Sequence, residues 1–342
     1  MSRARRARPA VVIMGKWRSQ QPKSRDHQPS TGSAPVHALW AVVPPSVLVV
    51  TGIFSVQFGA GLAARLFAQI PPAGVTALRL WTSAVVMAIA GARPLSNAVS
   101  GLVRRRAWRE AAVAVAFGLT LAIMNYSIYQ SFARIPLGIS VTVEFLGPLG
   151  VAVASSRRAL DLLWVGLAGT GVALLTRGSA ALSHGSAPGG GGHGEVVAGL
   201  AFALLAALAW AAYILLSRAT GQRFPGSTGL AIAMVVAAIV ITPVGVAAGH
   251  AALLRPAVLL TGLAIGLLSS IIPYSLELEA LRRIPARVFG IWMSLEPAAA
   301  ALVGLVILGQ ALAVREWLAI GCVMIACAGA ARGAREPQAP EA

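Results

Sequence analysis

Two glutamates and one arginine stand apart from the other ionisable residues of this 342-residue chain, because each falls within a long apolar run. Glu144 lies in IPLGISVTVEFLGPLGVAV and Glu296 in GIWMSLEPAAAALVGLVIL. Inserting a charged residue at the centre of a membrane helix costs roughly 2.5–3.5 kcal/mol, so a functional role is the default reading for such a group. Each glutamate precedes a proline, Pro148 or Pro297, whose missing N–H frees a carbonyl and opens a kink. A carboxyl placed there can exchange a proton or meet an ammonium group; the alternative is a hydrogen-bonded side chain that only fixes packing. Arg79, in GVTALRL (74–80), either snorkels to the nearby interface or offers a fixed cation to a carboxylate of the substrate or of these glutamates.

Neutral hydrogen-bonding groups recur in the same runs: Gln57, Asn125, Tyr126, Tyr129, Gln130, Tyr213 and Tyr274. Singly they are unremarkable. Gathered on one cavity they suit a small polar solute, because such groups are expensive to bury without partners. Trp210 reads as a packing residue. Glu277 and Glu279 fall where their apolar run ends, so pairing of Glu279 with Arg282 and Arg283 is the favoured account, and Glu277 is the weaker cavity candidate. Asp161 reads as a loop ion partner of Arg157 and Arg158.

The elements that must hold these residues are membrane helices. Hydrophobic residues make up 57% of the chain and charged ones 11%, with a mean hydropathy of +0.76. A soluble domain carries about 25% charged residues, so a soluble enzyme is excluded. Windows of 17 or more apolar residues occur at 44–64, 74–92, 111–131, 136–154, 160–176, 196–217, 227–248, 256–278, 285–308 and 314–331. Ten transmembrane helices are therefore predicted, in an all-α membrane protein without the period-2 alternation of a barrel.

The net charge of +17 is a topology signal, not a nucleic-acid footprint. With a cytoplasmic N-terminus, 22 of the 28 Lys and Arg fall in inner segments, and Arg65, Arg134, Arg177, Arg255 and Arg315 in outer ones. Arg79 alone falls within a span. Both termini are thus predicted on the cytoplasmic side of the cell (inner or plasma) membrane. Residues 1–40 form a basic tail with no signal-peptide core, read as disordered. Residues 178–195 form a Gly-rich linker whose GGGGHG run lacks the flanking Lys-Ser/Thr of a phosphate loop. Cys322 and Cys327 read as small apolar residues, and the five histidines lack metal-ligand spacing, so neither a metal nor another cofactor is expected.

The linker divides the spans five and five. NYSIYQSFARIPLGISVTVEFLGPLGVAV aligns with PYSLELEALRRIPARVFGIWMSLEPAAAAL, setting Tyr126 over Tyr274, Pro136 over Pro285 and Pro148 over Pro297. Because each unit (41–177 and 196–332) has an odd number of spans, the second enters the membrane from the opposite side. Inverted repeats of this kind bind solutes near the midplane and alternate access by rocking. A cytosolic tail, 333–342, closes the chain.

GVTALRL, MNYSIYQS (124–131), IPLGISVTVEFLGPLGVAVASSRR (135–158), YILLS (213–217) and PYSLELEALRRIPARVFGIWMSLEP (273–297) resemble the EamA-type drug/metabolite transporter superfamily. Within it they are similar to the bacterial threonine/homoserine exporter group. The resemblance covers about residues 44–331 and implies a ten-helix, two-repeat carrier exporting small amino acids, driven by the proton gradient. It sets Arg79, Asn125, Glu144 and Glu296 at matching positions. The chain departs at Gln310, where the family commonly has a glutamate, and in its linker and basic tail.

The expected candidates for substrate binding or proton coupling are Glu144, Glu296, Arg79, Asn125, Tyr126, Gln57 and Tyr274. Expected partners are a small polar solute, an amino acid by preference, with protons as coupling ion and the lipid bilayer around; a homodimer stays open. Two other readings remain: a multidrug exporter of the same fold, which would want a larger, more aromatic cavity than 6% aromatic residues favour, and a nontransporting membrane scaffold. An enzyme is not expected, since no nucleophile and base pair is visible.

Overall fold

The computed structural model describes residues 43–155, 160–176, 192–224 and 227–333. The basic tail, Arg157, Arg158, Arg177, the linker before residue 192 and the C-terminal tail from 334 lie outside the described residues. Those described form helices joined by short turns, with no strand among them.

Nine helical spans among them are long and apolar enough to cross a membrane. They comprise α1 (Pro45–Leu66), α2 (Pro72–Ala90), α4 (Trp108–Phe132), the pair α5 (Leu137–Glu144) and α6 (Leu146–Ala154), α8 (His193–Gly221) and α9 (Thr228–Gly249). The pairs α10 (Pro256–Gly266) with α11 (Ile272–Leu281) and α12 (Ala286–Met293) with α13 (Glu296–Leu308), then α14 (Val314–Gly333), complete them. The remaining expected span is a shorter apolar helix, α7 (Leu160–Thr176). A further helix, α3 (Ala92–Arg104), went unpredicted because its apolar residues form only a stripe: Leu95, Ala98 and Leu102 pack beneath Phe224 and Ile232, and the other faces are polar.

Proline sets many of the starts. Pro45, Pro72, Pro256 and Pro297 each occupy a first-turn position, where the absent N–H has no carbonyl to meet. Gly309, at φ 69°, ends α13 in the left-handed conformation that favours glycine. Two readings need correction. Helix α8 begins at His193, inside the segment read as linker, and its first-turn Glu195 reaches Arg134 of the α4–α5 turn at 3.1 Å. Asp161 is not in a loop: it sits buried in the first turn of α7, where a helix N-terminus favours an acidic residue, and its expected partners Arg157 and Arg158 lie outside the described residues.

Lipid cannot drive helices together by hydrophobicity, so close packing through small residues must do it. Helix α8 runs along α4, and α1 correspondingly runs along α10 and α11. Helix α8 also crosses α5 and α6 as α1 crosses α12 and α13, while α2 lies on α9 and α7 on α14. The outward faces stay apolar: Ile89, Leu162, Leu208 and Val306 are 69–77% exposed. At the α6–α8 crossing a Cβ on Gly147 would fall on the carbonyl of Ala207, whereas one on Gly150, a turn away, would meet nothing within 4 Å. Gly147→Val should therefore lower the detergent-solubilised melting temperature by several degrees, since backbone must move. Gly150→Ala should hold or raise it, as Ala is favoured over Gly in a helix interior by roughly 0.5–1 kcal/mol. Equal melting temperatures for the two variants would show that the crossing is not tight.

Candidate functional site

Three interruptions in the helices build the site. The first lies at Phe145, between α5 and α6, and the second at Ser294–Leu295, between α12 and α13. They are 149 residues apart, the offset at which Pro136 aligns with Pro285. Glu144 is the last residue of α5, and Glu296 the first of α13. The third is a π-turn, Leu267–Ile271, between α10 and α11. Pro273 has no N–H to give the carbonyl four residues back, Ser269 O, and the wider turn accommodates the loss. Side chains supply the donors instead: Arg79 Nη2 donates to Ser269 O at 3.2 Å, and Ser55 Oγ to Leu268 O at 2.8 Å.

These breaks surround a cavity of about 190 Å³, to which both halves of the chain contribute. Helix α1 gives Gln57, α2 Arg79, α4 Asn125, and the breaks give Glu144, Ser269 and Glu296. Tyr213 enters from α8 and Tyr274 from α11. Of the sequence candidates, Glu144, Glu296, Arg79, Asn125, Gln57 and Tyr274 are thus brought together. Tyr126 is not among the lining residues. The α4 face toward the cavity runs through Asn125, Ile128 and Phe132, and Tyr126 instead packs edge-on against Phe202 of α8, with ring centroids 6.3 Å apart.

Arg79 does not snorkel. Its Nη1 reaches the Tyr129 hydroxyl at 3.4 Å, and its guanidinium carbon lies 5.5 Å from the centroid of that fully buried ring. Its Nε is buried without a hydrogen-bond partner, and among the described residues Arg79 forms no ion pair. Gln57 Nε2 donates to Glu296 Oε1 at 2.9 Å, leaving Glu296 Oε2 and Gln57 Oε1 buried and unpartnered. No hydrogen bond or ion pair reaches the Glu144 carboxyl from the described residues. Asn125 Nδ2 is committed to its own helix, at Leu121 O, 2.8 Å. The cavity therefore holds a cation and carboxyl groups that form no ion pair with one another among the described residues. A zwitterion supplies what each lacks.

Two residues set aside on sequence grounds belong to this cavity. Glu277 lines it because the helix carrying it runs on to Leu281, beyond the expected end at 278, which places Glu277 more than a turn from the terminus. Trp210 packs edge-on against Phe145 at 4.9 Å as expected, and also lines the cavity. Glu279 does pair with Arg283 and, at 3.4 Å, with Arg282. Gln310 closes off the end of α5: its Oε1 accepts the Leu137 N–H at 3.0 Å. Among the described residues no cluster of His, Cys, Asp and Glu is placed to hold a metal. A larger cavity, about 620 Å³ between α6 and α8, is apolar except for Ser155 and Arg218 and holds none of these groups.

Known proteins similar to this chain are transporters. Residues 197–332 match the family model for the EamA-like transporter family. The threonine/homoserine exporter RhtA of Escherichia coli K12 is 38% identical over 286 residues, covering 83% of this chain and 90% of that protein. RhtA of Salmonella typhimurium LT2 is 39% identical over 299 residues, covering 86% and 94%. An uncharacterised transporter of Bacillus subtilis, YwfM, is 32% identical over 129 residues, covering 38% and 44%. A crystal structure at 20% identity superposes with a TM-score of 0.54 over 83% of this chain and 96% of the other, which shows a shared fold.

Proposed function

The chain belongs to the EamA-like transporter family, and from that membership we propose that it is a secondary exporter of small amino acids such as threonine and homoserine. The observation that carries the reading is Arg79, with its unpartnered buried Nε, sharing the cavity with carboxyl groups with which it forms no ion pair. The substrate carboxylate docks on Arg79. Its ammonium meets Glu144, whose oxygens have no hydrogen-bond or ion-pair partner among the described residues, or Glu296. A cavity of about 190 Å³ suits a small amino acid and is tight for a drug, whose pockets run to about 300–1,000 Å³.

Ten helices act as two inverted five-helix repeats, 41–177 and 196–332, with both termini cytoplasmic. The recurrence of the helix break at an offset of 149, and the packing of α1 on α10–α13 as α8 packs on α4–α6, support this arrangement. Access alternates through the broken arms α5 and α12, which occupy equivalent places in the two halves. Every residue of α5 from Leu137 to Val143 is buried, whereas α12 buries none. At the end of the molecule where α5 begins, Arg65 donates from Nε and Nη2 to Ile307 O at 3.0 and 2.6 Å, alongside the Gln310–Leu137 bond and the Arg134–Glu195 pair. That end is the closed, outer one and the α12 end the open, inner one. Protons drive export by competing with the substrate ammonium for a cavity carboxylate.

The test is efflux of labelled threonine from proteoliposomes under an imposed pH gradient. Threonine should leave several-fold faster than from empty liposomes, and unlabelled homoserine should compete. Efflux equal to that of empty liposomes would overturn the assignment.

A further inference from the structure

Beside the central cavity lies a second, of about 350 Å³, between α6, α8, α11, α12 and α14. Trp210, Glu277 and Met293 line both, so these three side chains form the partition between them. Glu277 is the one charged residue of the second cavity; the other walls are apolar, with the Phe289 ring facing it from α12 and the Cys327 thiol from α14. Glu277 makes no hydrogen bond or ion pair with the described residues, and the arginines a turn further along are engaged by Glu279. Helix α12, which gives Phe289, Gly290 and Met293 to the wall, has no buried residue.

We infer that this second cavity is a loading station for the exported amino acid, in which Glu277 receives the substrate ammonium from the cytoplasmic side before the molecule passes Trp210 and Met293 to Arg79. The inference rests on the exporter reading and adds to it a site distinct from the central one. The chemistry fits a primary ammonium flanked by aromatic faces. A carboxylate holds it by charge, and the Trp210 and Phe289 rings offer cation–π surface, while the apolar remainder tolerates varied small side chains. A carboxylate that no cation pairs with repels the acid end of a zwitterion, so the ammonium leads and the carboxylate trails. Transfer inward then hands the ammonium from Glu277 to a deeper carboxylate.

Cys327 provides the probe. In a Cys322→Ser protein it is the single thiol, and Cys322 lines neither cavity. Inside-out vesicles carrying the full chain are treated with two thiosulfonates of similar size, one bearing a trimethylammonium group and one neutral, each normalised to its rate with a free thiol. The expected result is labelling of Cys327 from the cytoplasmic face with about a tenfold preference for the cationic reagent. Glu277→Gln should erase the preference while leaving the neutral rate unchanged, which also certifies the fold, and Glu277→Asp should retain it. Millimolar threonine should slow the cationic reaction. A cationic preference that persists in Glu277→Gln, or a Cys327 unreactive from this face, overturns the station even where threonine efflux is intact. A Glu277-dependent preference that threonine does not affect upholds the charge site and removes threonine as its occupant.

Discussion

Arg79→Gln is expected to cut threonine efflux at least a hundredfold, and Arg79→Lys nearly as far. Truncating one partner of a buried charge pair typically costs about 2–5 kcal/mol, and each 1.4 kcal/mol is tenfold in affinity, so a hundredfold loss lies inside that range. Lysine fails for a geometric reason. The guanidinium already spends donors on Ser269 O and the Tyr129 hydroxyl, which come from two different helices, and still has Nε free for the substrate. An ammonium is a single point and cannot hold that spread of partners. Two readouts separate a clamp from a strut: the melting temperature without ligand, and its rise on adding threonine. A clamp keeps most of the first and loses the second, because only a bound ligand stabilises by mass action. If Arg79→Gln exports threonine at the parental rate, the cation is a structural tie between α2, α4 and the π-turn.

Glu144→Gln should uncouple the carrier. The amide keeps the volume and can still accept a hydrogen bond, but it carries no exchangeable proton and no charge for an ammonium. Export against a threonine gradient, driven by an acidic exterior, should fall to the level of empty liposomes. Exchange of labelled for unlabelled threonine at equal pH should persist at a tenth of the parental rate or more, because Arg79 and Glu296 remain. Glu296→Gln should be the milder of the two: its Oε1 already accepts from Gln57 Nε2, a bond that an amide oxygen preserves. Gradient-driven export surviving in Glu144→Gln, or lost only in Glu296→Gln, would move the coupling role across the cavity.

The sequence was informative wherever length and depth decide the answer. Each apolar window contains a helix, and the deep ionisable residues Arg79, Glu144 and Glu296 share one cavity because a charge at membrane depth has few other places to be. It was blind to register. Asn125 and Tyr126 are neighbours in the chain, yet one faces the cavity and the other the α4–α8 seam, and hydropathy treats both alike. Glu277 was discounted because its apolar window closes at 278, while the helix continues to Leu281 under cover of the Glu279–Arg283 pair. Helix α3 escaped because a stripe of apolar residues among arginines has no window to show. Gln310 drew notice only as a missing acid; its neutral amide serves the Leu137 N–H directly, so that contact does not depend on protonation.

The π-turn at Leu267–Ile271 has a consequence for how the gene can vary. A π-turn holds one residue more than the α-helix requires, and it leaves the residues downstream on nearly the faces that an ordinary α turn would give them. Removing a single residue there would restore α geometry with Tyr274 and Glu277 still on the cavity side, leaving only the Pro273 ring to be fitted against a helical carbonyl. A one-codon deletion in this stretch should therefore be tolerated far better than the same deletion in the middle of α9, which would rotate everything beyond it by about 100°.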